Sequence, residues 1–238
     1  MDFNNSQTPP PYHSHGEVMA QTNAIMKKVY LRMFIGLLIS AFCALGVASS
    51  PSLLMFFFGN KWMYFILFGI MIVMAWSIPS RLTRMSTGAA LVSFCAFSAI
   101  MGISLAPIFI VYHLGTIVYT FFITAGVFGC MSVYGYFTKS DLTKIGSFCM
   151  MALFGLIIVM IVNIFVASSQ LDWIISIIGV LLFIGLTAWD TQTIKKMAAY
   201  NMDPALTDKL ATLGALNLYL DFINLFLFLL RFFAGNRD

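Results

Sequence analysis

The sequence predicts an all-α membrane protein, a polytopic bundle of seven transmembrane helices. Hydrophobic residues occupy 61% of the 238 positions and charged residues only 9%, so the chain lacks the polar side chains that would cover a soluble globule of this size. Seven apolar runs follow one another, each close to the roughly 20 residues with which a helix crosses a hydrocarbon core of about 30 Å. The runs are continuous, whereas the strands of a membrane β-barrel alternate apolar and polar residues.

The seven predicted spans start after an N-terminal tail and continue almost to the C-terminus. They are residues 30–49, 62–78, 88–107, 116–137, 146–167, 173–188 and 213–233. The tail, residues 1–22, holds three consecutive prolines and no apolar period, so we predict that it is disordered and cytoplasmic. Residues 23–238 then form one seven-helix transmembrane domain, and its first span serves as the targeting signal in place of a cleaved signal peptide.

Two residue types inside the spans are predicted to serve packing. All four cysteines lie in apolar runs, without the spacing of a zinc site or a secreted disulfide framework. Small residues recur at helical spacing in the fourth span, where they would let a neighbouring helix approach closely. They are Gly126, Gly129, Ser132 and Gly135.

Charge between the spans predicts the orientation in the membrane. Every second connection is basic. The basic residues are Lys27, Lys28 and Arg32, then Arg81 and Arg84, then Lys139 and Lys144, then Lys195, Lys196 and Lys209. The positive-inside rule places these connections and the N-terminus in the cytoplasm, facing anionic lipid, and no nucleic-acid motif is present. A seventh full crossing would leave Arg231 and Arg237 outside, so a re-entrant last segment is the alternative.

Two acidic residues lie where carboxylates are costly. Asp221 is inside the last apolar run, and Asp190 ends the sixth run, near the cytoplasmic edge of the membrane. A charge at mid-membrane costs roughly 2.5 to 3.5 kcal/mol on insertion scales, so such residues usually mark an ion path, a proton relay or an internal pair. Antiparallel neighbouring helices would bring Asp190 and Asp221 together. Two carboxyls in one poorly solvated site would share a proton and respond to pH.

Simpler roles stay open for these and other polar residues. Asp190 could cap a helix end beside the lysines that follow it. Asp221 could act as neutral glue between helices together with Asn217 or Asn224, and Asn163 in the fifth span is predicted to act similarly. Arg84, at the cytoplasmic mouth, could be a topology charge or form a latch with Asp190.

Three segments carry a resemblance to a known family. They are Gly185-Leu-Thr-Ala-Trp-Asp-Thr-Gln192, the run from Leu218 to Arg231, and the Gly126 to Tyr136 stretch. From about Met26 to the C-terminus the chain resembles the Bax inhibitor-1 family, in its bacterial inner-membrane branch. The resemblance implies a pH-sensitive calcium leak through a bundle whose seventh helix is central.

The family's aspartate dyad would fall on Asp190 and Asp221, which would also be the passing site of calcium. Its arginine latch would fall on Arg84 or, as the second choice, Arg81. Calcium is expected as the permeant ion, without a cofactor.

Other function classes fit the residues less well. An intramembrane hydrolase needs metal ligands, and only His113 lies at the edge of a span. A retinal photoreceptor needs a lysine in the last span, which has none. The runner-up is a non-enzymatic regulator that binds a membrane-anchored ATP-dependent protease, with the tail as its handle.

Overall fold

The computed structural model describes residues 15–82, 84–200 and 204–234. Within these ranges the chain is helical apart from short turns, and no strand occurs. The helices are α1 (His15–Ala48), α2 (Pro51–Phe58), α3 (Lys61–Arg81), α4 (Thr87–Leu105), α5 (Ile108–Val111), α6 (Leu114–Phe137), α7 (Thr143–Val166), α8 (Ser169–Tyr200) and α9 (Pro204–Ala234). The predicted all-α class is therefore confirmed.

Each predicted span falls on one of these helices, but they differ in length. Among the described residues, six stretches are long and apolar enough to cross a membrane, and they include α1, α4, α6, α7, α8 and α9. The second predicted span falls on α3, whose described apolar section, Phe65–Arg81, is shorter. Six candidate spans are thus present, and the seventh crossing stays a prediction.

Several helices extend beyond the apolar runs. Helix α1 begins at His15, so residues 15–22 of the predicted tail are helical, while residues 1–14 lie outside the described part. Helix α8 continues to Tyr200, well past the predicted end at residue 188. Hydropathy marks where the side chains stop being apolar, and a helix can continue through polar residues when they find partners.

Helix α9 lies at the centre of the bundle, as the resemblance implies. Its membrane-spanning stretch is 72% buried, whereas the other five candidates range from 17% to 44%. It packs against α8, α1, α6 and α4. A helix that is apolar on all sides is suited to such a position, and α9 combines this with Tyr219 and Asp221 inside the bundle.

Ion pairs at the two ends of α9 show its direction. Near its start, Arg32 Nη2 lies 2.7 Å from Asp208 Oδ2, and near its finish Arg231 Nη1 lies 3.7 Å from Asp172 Oδ1. We call these the Arg32 end and the Asp172 end of the bundle. Between them α9 is one continuous helix of 31 residues, about 46 Å long, so the re-entrant alternative is not confirmed. Arg231, which conflicted with the charge rule, has an acidic partner.

Close helix packing fixes α8 between α6 and α7. A Cβ added to Gly135 of α6 would lie 2.2 Å from the carbonyl oxygen of Ala188, and one added to Gly146 of α7 would lie 2.2 Å from the Trp189 ring. A Cβ added to Gly126 or to Gly129 would have no atom of another residue within 4 Å. Of the predicted glycine stripe, Gly135 is the glycine that brings another helix close.

Candidate functional site

The two acidic residues singled out by the sequence meet in the structure. Asp221 lies near the middle of α9 and is 5% exposed, and Asp190 is half-buried on the neighbouring α8. Their carboxyl groups lie within hydrogen-bonding reach of one another. Two carboxyl groups can form such a bond only when a proton lies between them, because a carboxylate is an acceptor without a donor.

Packing on both sides of the pair sets its register. The ring of Phe228 lies against Gly179, so close that an added Cβ would be 2.5 Å away, and the side chain of Ile194 lies against Gly214. These two contacts between α8 and α9 are on opposite sides of the aspartates along the antiparallel helices. Because the glycines carry no side chain there, α8 and α9 approach closely enough for the carboxyls to touch.

Buried oxygens without a partner occur on the three helices α6, α8 and α9, which pack together around the pair. Among the described residues, several buried side-chain oxygens form no hydrogen bond, and they include Asp221 Oδ2, Ser132 Oγ and Thr191 Oγ1. By contrast, the Thr187 hydroxyl donates to the carbonyl of Phe183 at 2.7 Å. An unsatisfied buried polar atom costs about 1–3 kcal/mol, so such atoms are uncommon and mark places where water or an ion can bind.

The connection between α6 and α7 covers the site on the side of the Arg32 end. Gln192, two positions after Asp190, donates from Nε2 to Ser140 O at 2.8 Å, and its Oε1 accepts from Leu142 N at 2.9 Å. Lys195 donates from Nζ to Tyr136 O at 2.6 Å and lies 4.5 Å from the centroid of that ring. Sequence reasoning missed this cover, although Gln192 belongs to the segment that carries the resemblance.

One surface ion pair completes the cover. Lys196 Nζ lies 2.8 Å from Asp141 Oδ1, and both side chains are largely exposed. The hydrogen bond from Lys196, with two further bonds from Thr143, lowers the pKa of Asp141 to about 2. Asp141 is therefore charged throughout the pH range in which a shared carboxyl proton would titrate.

The predicted arginine latch has no counterpart in the described ion pairs. Arg81 and Arg84 are both exposed, and neither forms a salt bridge in the part of the chain that the structure describes. A latch between Arg84 or Arg81 and Asp190 therefore stays a prediction.

A different arginine joins α1 to α9. Besides its ion pair with Asp208, Arg32 donates from Nη1 to Asp208 O at 2.6 Å and to Thr212 Oγ1 at 2.7 Å, while Lys28 Nζ lies 3.0 Å from Asp208 Oδ1. We call Lys28, Arg32, Asp208 and Thr212 the Arg32 cluster. No sequence pattern indicated this cluster, because Asp208 lies outside every apolar run and far from Arg32 along the chain.

The three asparagines predicted as supporting residues occupy different positions. Asn224 donates to Leu220 O of its own helix at 2.8 Å, and Asn217 is half-buried on α9. Asn163 donates to Asp172 Oδ1 at 2.9 Å and accepts from Ser168 N at 3.1 Å, so it stabilises the α7–α8 turn at the Asp172 end.

A second polar contact lies on another face of α9. The Tyr219 hydroxyl is 2.6 Å from Ser40 Oγ of α1, and Ser40 in turn donates to Ser98 O of α4, 2.7 Å away. The Tyr219 ring meets Phe94 and Phe97 of α4 edge-on. This contact holds α9 against α1 and α4, opposite the contact with α8.

The carboxyl pair supplies few ligands for a metal ion. Within the described ranges, no group of three or more His, Cys, Asp or Glu side chains lies close enough to hold one. Calcium takes six to eight oxygen ligands, so Asp190 and Asp221 would need water, hydroxyl or carbonyl oxygens to complete its shell. The arrangement suits brief contact with a cation more than tight binding.

Comparison with known proteins places the chain among membrane proteins. Residues 22–238 match the family model described as inhibitor of apoptosis-promoting Bax1. The inner membrane protein YbhL of Escherichia coli K12 is 42% identical over 214 residues, covering 89% of this chain and 92% of that protein. An uncharacterized protein of Borreliella burgdorferi is 43% identical, covering 91% and 94%, and one of Caulobacter vibrioides is 36% identical, covering 100% and 99%.

Proposed function

Since this chain belongs to the Bax inhibitor-1 family of membrane proteins, we propose that it is a pH-sensitive calcium leak of the bacterial inner membrane. The observation that carries the proposal is the close pair Asp190–Asp221 at the centre of the bundle, whose carboxyl groups lie within hydrogen-bonding reach of one another. An acid pair that shares one proton changes its charge by one unit over a narrow pH range. The bundle is mostly apolar, and among its described residues Asp221 is the one acidic side chain that is fully buried.

The charge of the pair sets the state of the path. With the shared proton in place, the two carboxyls attract one another and hold α8 against α9. Once the proton is lost, two negative charges repel each other in a site with little water, and the helices gain from separating or from admitting a cation. A cation that passes the pair therefore competes with the proton, and flux depends on pH.

Calcium fits this chemistry because it prefers carboxylate, hydroxyl and carbonyl oxygens. Ser132 Oγ and Thr191 Oγ1, buried and without hydrogen-bond partners in the described structure, are further oxygens of this kind. With only two acidic ligands, the site binds weakly and releases readily, as a slow leak requires. A latch between Arg84, or Arg81, and Asp190 belongs to the proposal as a second control at the Arg32 end, which the charge pattern assigns to the cytoplasm.

Calcium entry into liposomes tests the proposal. Wild type and Asp221→Asn are reconstituted, and entry is followed with a trapped indicator across roughly pH 5 to 8, where a coupled pair titrates. We expect pH-dependent flux in the wild type and flux without that dependence in Asp221→Asn, because the amide cannot gain or lose the proton. An Asp221→Asn profile that overlays the wild-type profile would rule out the gate.

Asp141→Asn is the matched control for a lost acidic group. Because the pKa of Asp141 is lowered to about 2, the ion pair with Lys196 is complete above the usual aspartate pKa and is lost only as pH falls toward 2. Between pH 5 and 8 the control should follow the wild type. Absence of flux in wild type and variants alike would instead favour a regulator that binds a membrane-anchored ATP-dependent protease.

A further inference from the structure

One face of α6 carries a row of hydroxyl groups toward the core. Thr116, Thr120 and Thr124 follow one another at intervals of four residues, and Ser132 continues the row after an interruption. Residues four apart lie on one side of a helix, so the row forms a single stripe. All of them are buried, Thr120 and Thr124 completely. The stripe faces the interior and runs from the Asp172 end toward the level of the carboxyl pair.

Hydroxyls on both sides of the interruption lack partners. In the described structure, Thr120 Oγ1 on one side and Ser132 Oγ on the other are buried without a hydrogen bond, as is Asp221 Oδ2. Threonine hydroxyls inside membrane helices ordinarily donate to the carbonyl one turn earlier, as Thr124 does to Thr120 O at 2.7 Å. Thr120 Oγ1 and Ser132 Oγ, which lack hydrogen bonds on either side of the interruption, therefore indicate two places where water or a cation can bind.

The interruption is an aromatic contact. Phe128 takes the position between Thr124 and Ser132, and its ring meets the ring of Phe222 on α9 with centroids 5.5 Å apart and planes at 70°. Both side chains are buried, at 5% and 4% exposure. Phe222 directly follows Asp221 in the chain. The contact thus separates the threonines from the carboxyl pair, and apolar rings at a narrow point exclude water and ions.

Space for movement adjoins one of the two rings. A cavity of about 110 Å³ is lined by Phe222 together with Phe121, Ile117 and Phe226, and it continues to Ser40 of α1. Protein interiors are close-packed, so a ring beside empty space can change rotamer where a fully enclosed one cannot. The Phe222 ring, which also meets Phe121 edge-on, therefore has space on one side into which it can turn away from Phe128.

We propose that the Phe128–Phe222 contact is a hydrophobic gate in the cation path, between the Asp190–Asp221 pair and the threonine row that leads to the Asp172 end. The gate opens when the Phe222 ring turns into the adjoining cavity. This inference rests on the proposed function, since it names the residues that close the path which the carboxyl pair controls.

Calcium flux through reconstituted full-length protein tests the gate. Phe222→Ala should raise the initial rate of calcium entry about tenfold. A tenfold change corresponds to a free energy of about 1.4 kcal/mol, which is close to the most that one aromatic contact usually contributes. Phe128→Ala should act in the same direction. Phe154→Ala is the control, because Phe154 lies on α7 and is 65% exposed on the outer surface, and its flux should match the wild type. An unchanged rate in both gate variants would overturn the proposal.

Cysteine labelling separates failure of the gate from failure of the leak. The four native cysteines are replaced by alanine, and Thr120→Cys is introduced on the far side of the rings from the carboxyl pair. A membrane-impermeant thiol reagent is added on the side of the Arg32 end, so that it must pass the rings to reach this cysteine. Phe222→Ala should raise the rate of modification about tenfold, on the same estimate.

Phe222→Leu, which keeps an apolar side chain of similar length, should give a smaller rise and serves if the alanine variant does not fold. A labelling rate that neither variant changes would refute the gate even if calcium flux is present. Faster labelling in a protein without calcium flux would leave the gate in place and reject the calcium leak.

Discussion

Loss of the Arg32–Asp208 ion pair should weaken the attachment of the central helix to α1 by a measurable amount. The perturbation is a double-mutant cycle made of Arg32→Gln, Asp208→Asn and the two together. Lys28 provides a comparison within the same cluster, because its Nζ contacts the other carboxylate oxygen of Asp208. A second cycle, with Lys28→Gln in place of Arg32→Gln, therefore measures the Lys28–Asp208 pair, which shares Asp208 but whose basic side chain is more exposed.

The exposed fractions of the side chains set the expected magnitudes. Arg32 is 14% exposed and Asp208 20% exposed, so this pair lies between a surface pair, worth about 0.2 to 1 kcal/mol, and a buried pair, whose disruption costs about 3 to 5 kcal/mol. We expect a coupling free energy of about 2 kcal/mol, typical of a charge-assisted hydrogen bond. Lys28 is 56% exposed, which reduces its expected coupling to about 0.5 kcal/mol.

The assay is equilibrium unfolding of the purified protein in mixed micelles, followed by helical circular dichroism. The bonds from Arg32 Nη1 to Asp208 O and Thr212 Oγ1 persist in Asp208→Asn, so the cycle isolates the side-chain ion pair. Equal coupling for Arg32 and Lys28, or an Arg32 coupling under about 0.5 kcal/mol, would refute the reasoning from burial.

Two further predictions concern packing. Gly135→Val should lower stability by about 1–3 kcal/mol, because its Cβ would lie 2.2 Å from the Ala188 carbonyl oxygen and push α6 away from α8, whereas Gly129→Val, which faces open space, should leave the unfolding midpoint unchanged. A Gly135→Val protein as stable as the wild type would show that α6 shifts without cost. Tyr219→Phe should cost about 0.6 to 1.5 kcal/mol, since it removes the hydroxyl bonded to Ser40 Oγ and keeps the ring contacts with α4. The effect should disappear in a Ser40→Ala background, and its persistence there would contradict the assigned hydrogen bond.

The sequence predicted the features that are set by local composition. A helix that crosses a membrane must be apolar along its whole length, so hydropathy located the cores of the long helices correctly. Asp190 and Asp221 could be paired in advance because both stand out against apolar neighbours and because consecutive spans run antiparallel. In the structure the two carboxyls lie side by side, and their role as a pH-sensing pair stays a prediction.

The features that the sequence could not predict depend on contacts between distant residues. Arg32 meets Asp208 across most of the chain, and no local pattern distinguishes Asp208 from an ordinary surface acid. Helix α8 continues past residue 188, and in this extension Gln192 bonds to the connection after α6 and Lys195 to the last turn of α6, which are also long-range contacts. Arg231 conflicted with the charge rule because that rule counts residues in loops and does not consider a partner such as Asp172.

The central position of α9 has a consequence for the synthesis of the protein. The ribosome makes α9 after α1, α4, α6 and α8, the helices that surround it. Until then these helices can pack only against one another, and Asp190 and Ser40 lack their partners on α9, Asp221 and Tyr219. The place of α9 among them must therefore be open, or be opened, when that helix is made. The carboxyl pair can form only after α9 is made, and a chain released before α9 would lack both its central helix and its site.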